Sequence, residues 1–138
     1  FPIFHILDLS QDPSLPISEL AANGIYDVGW SESHDSIIIA AVANDSVKLY
    51  DLALPPTSNP IHSFQEHTRE VHFVDYNPAR CNPFLSSLLD DTVNLLTLDR
   101  PTSVHTFKEH AYYVYFAAWN PCHTDVFASA SGDCTLRV

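Results

Sequence analysis

Two sets of side chains in this 138-residue chain are of types that could break a bond: His67, Ser86 and Asp90, and, 43 residues further on, His110, Ser129 and Asp133. A serine activated by a histidine, with a carboxylate orienting the imidazole, is the chemistry of acyl transfer. That chemistry also needs an exposed, strained serine and an oxyanion site. Neither set lies in a nucleophile-elbow pattern, and no P-loop or Gly-x-Gly-x-x-Gly run is present. With only three glycines, the chain also lacks the residues for cradling a phosphate in backbone. A set that returns at one fixed spacing reads as structure, in which buried polar groups pair to avoid a penalty of about 1–3 kcal/mol each. Cys81, Cys122 and Cys134 form no Cys-x-x-Cys pair and read as free thiols. Eight scattered histidines without a His-x-x-x-His pair do not make a metal site, and no cofactor is expected.

The spacing belongs to a repeat. Phe64-Gln65-Glu66-His67 returns as Phe107-Lys108-Glu109-His110, and the same offset carries Tyr76-Asn77-Pro78 onto Trp119-Asn120-Pro121, Phe84 onto Phe127 and Thr92 onto Thr135. An upstream copy fits at an offset of 46, with Trp30-Ser31 on Tyr76-Asn77, Ile38 on Phe84, and Ser46-Val47-Lys48-Leu49 on Thr92-Val93-Asn94-Leu95. The extra residues fall in the proline-rich link 54–60, where a loop absorbs them. Short apolar bursts bounded by Pro, Asn, Asp and Ser predict strands at 25–30, 36–42, 46–52, 61–64, 71–76, 84–88, 92–98, 104–107, 114–119 and 126–130. Upstream, 5–9 reads as a strand, 10–16 as a loop and 17–20 as an outer strand. Alternation puts Val28 with Trp30, Val74 with Tyr76, and Ala117 with Trp119 on one face of each first strand, where they are expected to pack between neighbouring units. An all-β chain with four short strands per period in the forties predicts propeller blades.

Each copy resembles a WD repeat. Its Gly-His signature stands as Glu66-His67 and Glu109-His110, and its Trp-Asp signature as Tyr50-Asp51 and Leu96-Thr97. The resemblance implies that a histidine, a strand serine, a turn aspartate and a tryptophan staple each blade through a buried hydrogen-bonded chain. That assigns His67, Ser86 and Asp90 to one staple and His110, Ser129 and Asp133 to the next, both lacking the tryptophan. Ala21, Ala40 and Asn44 hold the corresponding places in the first copy and cannot form one.

Longer strings narrow the resemblance. Tyr26-Asp27-Val28, the run 30–35, the run 46–51, Ser63-Phe64-Gln65-Glu66-His67 and the run 127–133 with Thr135-Leu136-Arg137 together resemble the peroxin-7 family, in a plant-like form. That family implies a seven-bladed propeller acting as a receptor for the type 2 peroxisomal targeting signal. It binds cargo proteins bearing an N-terminal basic amphipathic helix, works with a partner peroxin as co-receptor, and shuttles between cytoplasm and peroxisome matrix. The family's binding face is formed by the loop entering the first strand and the turn between the second and third strands. Carried onto this chain, that selects Glu66, Glu70 and Glu109 as the carboxylates presented to cargo and Tyr112 as an apolar neighbour.

Charge agrees with such a partner. Six Lys and Arg against 17 Asp and Glu leave a formal charge of −11, which argues against nucleic acid and suits a basic helix. No apolar run reaches the roughly 18 residues of a membrane-spanning helix, and the apolar start lacks the basic flank of a signal peptide. The chain has no methionine, so a processed or partial product is expected. The expected organisation is 1–20 as the last strands of a preceding blade, then blades at 21–64, 65–107 and 108–138, the last without its final strand. That is about three of seven blades, an open arc, where a closed ring needs roughly 300 residues. A fragment of an import receptor, a truncated remnant of one that no longer acts, and another acidic WD-repeat scaffold for basic proteins such as histones are the readings this leaves open. None is an enzyme.

Overall fold

The computed structural model describes residues 3–6, 18–21, 24–32, 34, 36–42, 45–80 and 82–138. Strands β1 (Ile3–Ile6) and β2 (Ser18–Ala21) pair antiparallel. Then come three antiparallel meanders. The first holds β3 (Ile25–Trp30), β4 (Ile37–Val42), β5 (Ser46–Asp51) and β6 (His62–Phe64); the second holds β7 (Val71–Tyr76), β8 (Pro83–Leu88), β9 (Val93–Thr97) and β10 (His105–Phe107); the third holds β11 (Val114–Trp119), β12 (Phe127–Ser131) and β13 (Leu136–Arg137). The upstream expectation shifts: the strand anticipated at 5–9 is β1, and the loop anticipated at 10–16 lies outside the described residues.

The same local chemistry shapes each meander. The first strand ends on an aromatic followed by Ser or Asn, and the aromatics hold one register: Trp30 opposite Ile38, Tyr76 opposite Phe84, Trp119 opposite Phe127. Asn77 Oδ1 accepts the backbone N–H groups of Ala79 and Arg80, and Asn120 Oδ1 those of Cys122 and His123, so each Asn-Pro pair closes a side-chain turn. A register shift recurs near the start of β3, β7 and β11, between Ile25 and Asp27, Val71 and Phe73, and Val114 and Phe116. The turn after each second strand places one residue at positive φ: Asp45 at 62°, Asp91 at 69° and Cys134 at 64°. In the link, Asn59 bonds the backbone of Asp51 as a strand residue would, its Oδ1 accepting at 2.8 Å and its Nδ2 donating at 3.0 Å.

The meanders stack with β3 beside β7 and β7 beside β11. Val47, Leu49 and Phe64 of the first face Val74, Tyr76, Phe84 and Leu96 of the second in one buried cluster. Leu85 and Val93 of the second meet Val114 and Ala117 of the third, with Phe107, Trp119 and Phe127 at the margin. Burial at this scale is worth about 25 cal/mol per Å² of apolar surface and is the term that holds neighbouring meanders together. The expectation for the paired face positions fails in β3. Ile6 packs with Ile38 and Tyr50, whereas Val28 and Trp30 are left 38% and 49% exposed.

Two carboxylates lace the first strands together. Asp27 accepts the Val74 N–H at 3.1 Å and Asp75 accepts the Trp119 N–H at 2.9 Å. A strand at the inner edge of a meander has N–H groups with no partner strand, and these acids supply the acceptor. Gly29 permits the close approach, since a Cβ there would stand 3.3 Å from Val74 Cγ2.

Candidate functional site

Two histidines are buried where each outer strand hands over to the next meander. The Nε2 atom of His67 lies 2.7 Å from Ser86 Oγ on β8, and its Nδ1 lies 3.5 Å from Asp90 Oδ2 in the following turn. In the next meander His110 Nε2 lies 2.8 Å from Ser129 Oγ and its Nδ1 2.9 Å from Asp133 Oδ2. Each aspartate also accepts backbone N–H groups from its own turn and from the residue after the histidine: Thr92 and Thr68 for Asp90, Thr135 and Ala111 for Asp133. Burial alone would raise the Asp90 carboxyl, but hydrogen bonds from His67 and Thr92 outweigh it and bring it down to about 2. For Asp133 the Thr135 hydroxyl is the largest influence, and the carboxyl is held far below its ordinary range. Both serines are buried, and each histidine joins the loop before the first strand to the second strand and to the turn after it.

The four residues expected on the binding face have different surroundings. Glu70 is exposed and takes the Tyr26 hydroxyl at 3.1 Å, with His72 Nε2 3.7 Å away. The Tyr26 ring stacks on His72 at 4.5 Å and 15°. Tyr112 is 49% exposed, its ring 4.3 Å from that of Tyr113 and tight against the Gly132 backbone, where a Cβ would come within 2.7 Å of its Cδ1. Arg69 donates to the Tyr113 hydroxyl at 2.9 Å, so the segment bearing Glu70 is tied to the segment bearing Tyr112. Glu66 is half-buried, with Oε1 accepting the Ser103 N–H. Glu109 is exposed and sits 3.8 Å from Arg137. Among the described residues no group of His, Cys, Asp and Glu is placed to hold a metal ion, and no helix is long and apolar enough to cross a membrane.

The WD domain, G-beta repeat family model matches residues 101–138. A "Peroxisome biogenesis protein 7" of Arabidopsis thaliana is 63% identical over 105 residues, which is 72% of this chain and 32% of the relative. The chain belongs to the peroxin-7 family. Proteins named "Peroxisomal targeting signal 2 receptor" from Dictyostelium discoideum and Homo sapiens are 36% and 35% identical, each over 53% of this chain and under a quarter of the relative. The chain therefore spans about a third or less of the length of these peroxin-7 relatives.

Several residues that organise this peroxin-7 chain escaped the sequence reading. Asn94, on β9, reaches His67 Nε2 with its amide nitrogen at 3.3 Å, giving that staple a fourth member without a tryptophan. Thr92 and Thr135 clamp the turn aspartates, and the Asp-x-Thr spacing was a legible signal for such a turn. Asp27 and Asp75 offered no signal, because their partners lie 47 and 44 residues away.

Proposed function

We propose that the chain is part of a receptor for the type 2 peroxisomal targeting signal, taking a basic amphipathic helix from cargo proteins on the edge where the segments before β7 and β11 emerge. The observation that carries this is the exposed Glu70 carboxylate beside the Tyr26–His72 stack, with the adjacent Arg69 bonded to Tyr113 of the Tyr112–Tyr113 pair. A carboxylate beside exposed aromatic faces suits an incoming helix with cationic and apolar sides: opposite charge steers the encounter, and aromatic surface holds the apolar side. The formal charge of −11 extends that attraction over the whole molecule. Glu66 and Glu109 complete the proposed carboxylate set. In this reading residues 1–20, 21–64, 65–107 and 108–138 are successive blade segments, a partner peroxin serves as co-receptor, and the receptor cycles between cytoplasm and peroxisome matrix.

The test is binding of a targeting-signal peptide to this chain and to Glu66→Lys and Glu70→Lys variants, with the far-UV circular dichroism spectrum as the check on folding. Reversal of charge at Glu70 is expected to weaken binding by about tenfold at low salt, with a smaller difference at high salt as screening sets in. Unchanged affinity at low salt removes these carboxylates from the site. Stronger retention on a histone-tail peptide at physiological salt would favour a general scaffold for basic proteins.

A further inference from the structure

Gly132 follows β12, and a Cβ built on it would stand 2.7 Å from Tyr112 Cδ1 and 3.1 Å from the Tyr115 hydroxyl oxygen. Its φ lies outside the left-handed region, so the backbone of the turn does not itself require glycine. The requirement comes from the Tyr112 ring. The chain that carries this ring is held in place. Ser131 Oγ donates to the Tyr112 carbonyl at 2.7 Å, and the Gly132 N–H donates to the Tyr113 carbonyl at 2.9 Å. The Tyr113 ring, 4.3 Å from that of Tyr112, is held in turn by Arg69, which donates to its hydroxyl and lies 5.6 Å from its centroid. These contacts fix the loop before β11 while Tyr112 stays 49% exposed.

The repeat points to a matched pair. Tyr112 stands 43 residues after Arg69, and Gly132 stands 43 after Leu89. The second meander thus combines a long cation with a full side chain at these two places, and the third combines a ring with none. We propose that Gly132 is a positioning residue for cargo: its missing side chain is the seat that lays the Tyr112 ring against the turn, as a fixed platform for the apolar side of the signal helix. An aromatic ring already held in one orientation has little freedom left to lose when an apolar side chain settles on it. A methyl group at position 132 removes the seat and leaves the ring without a fixed orientation. The seating is a property of this chain alone; its use by the helix rests on the receptor reading.

The seat and its use are tested separately. Proton NMR of the chain is expected to give nuclear Overhauser contacts from Gly132 Hα to the Tyr112 ring, and Gly132→Ala to move the ring-proton shifts of Tyr112 and Tyr113. Missing contacts, or ring shifts that stay in place, overturn the seat. A targeting-signal peptide should then bind Gly132→Ala about fivefold and Gly132→Leu about tenfold more weakly than wild type, with the far-UV circular dichroism spectrum unchanged. Tyr112→Ala should weaken binding by about tenfold, and combining it with Gly132→Ala should add no further loss, because the ring is already gone. These losses should persist at high salt, where that of Glu70→Lys shrinks. If wild type binds and the two substitutions add in full, Gly132 acts through the turn rather than the ring, and the proposal falls while the receptor stands. If wild type does not bind the peptide, the receptor reading falls and the cargo role with it, and the NMR contacts alone decide the seat.

Discussion

Asp90 shows how one side chain holds a turn, a loop and a strand together. It takes hydrogen bonds from the turn and from the loop bearing His67, and that set is present only in the fold. Its folded pKa, about 2, lies below the unfolded value of about 3.9, so ionisation stabilises the native state. That stability is complete at neutral pH and is lost as pH falls from about 4 through the folded value. Asp90→Asn is therefore expected to cost about 2 kcal/mol at pH 7 by urea unfolding, with wild type and variant converging toward pH 2. A gap of equal size at both ends would show that charge is not the source. Cys134 presents the opposite case. Its φ of 64° matches those of Asp45 and Asp91 in the sister turns, yet cysteine has no side-chain chemistry that favours the left-handed region. Cys134→Gly is expected to raise stability by about 0.5–1 kcal/mol in the same assay, and a loss would show that the thiol is needed.

Between elements, the lacing acids decide how closely the first strands approach. Burial is the largest influence on Asp75 and raises its carboxyl, against the lowering effect of the Trp119 N–H. A raised folded pKa means that ionisation is disfavoured in the native state, so this residue's contribution falls as pH rises through the carboxylate range. Asp75→Asn keeps the acceptor without the charge, and thermal melts at pH 7 should show stability unchanged or slightly higher. Asp75→Ala leaves the Trp119 N–H unpaired and should cost about 1–3 kcal/mol. Equal losses in both variants would mean that the charge, not the hydrogen bond, joins the meanders. Strand positions were legible from apolar bursts and turn residues; β3, β7 and β11 coincide with the expected ranges. The lacing was not, because a lone acid in a strand looks the same in sequence whether it meets water or a neighbouring N–H.

At the scale of the molecule, charge and exposed surface oppose each other. The formal charge of −11 keeps copies apart at low salt, while Val28 and Trp30 offer an apolar face on β3. Screening over about 10 Å at 0.1 M salt weakens the repulsion and leaves the apolar attraction intact. Sedimentation velocity should show association growing with salt and abolished by Val28→Lys with Trp30→Lys. Association that persists in that variant would locate the contact elsewhere.

The repeat at 43 residues, the recurrence of the His, Ser and Asp triplets and the acidic balance are all written in the chain, because each depends on residue type and spacing. They identify an all-β repeat and the polar residues that close it. Tertiary structure alone decided that Glu66 bonds the Ser103 N–H while Glu70 takes the Tyr26 hydroxyl, and that Asn94 faces a buried imidazole. Those outcomes depend on which meander packs against which side chain, and the partners lie tens of residues apart. Periodicity determines the face a residue takes on its strand; what meets that face is determined by packing.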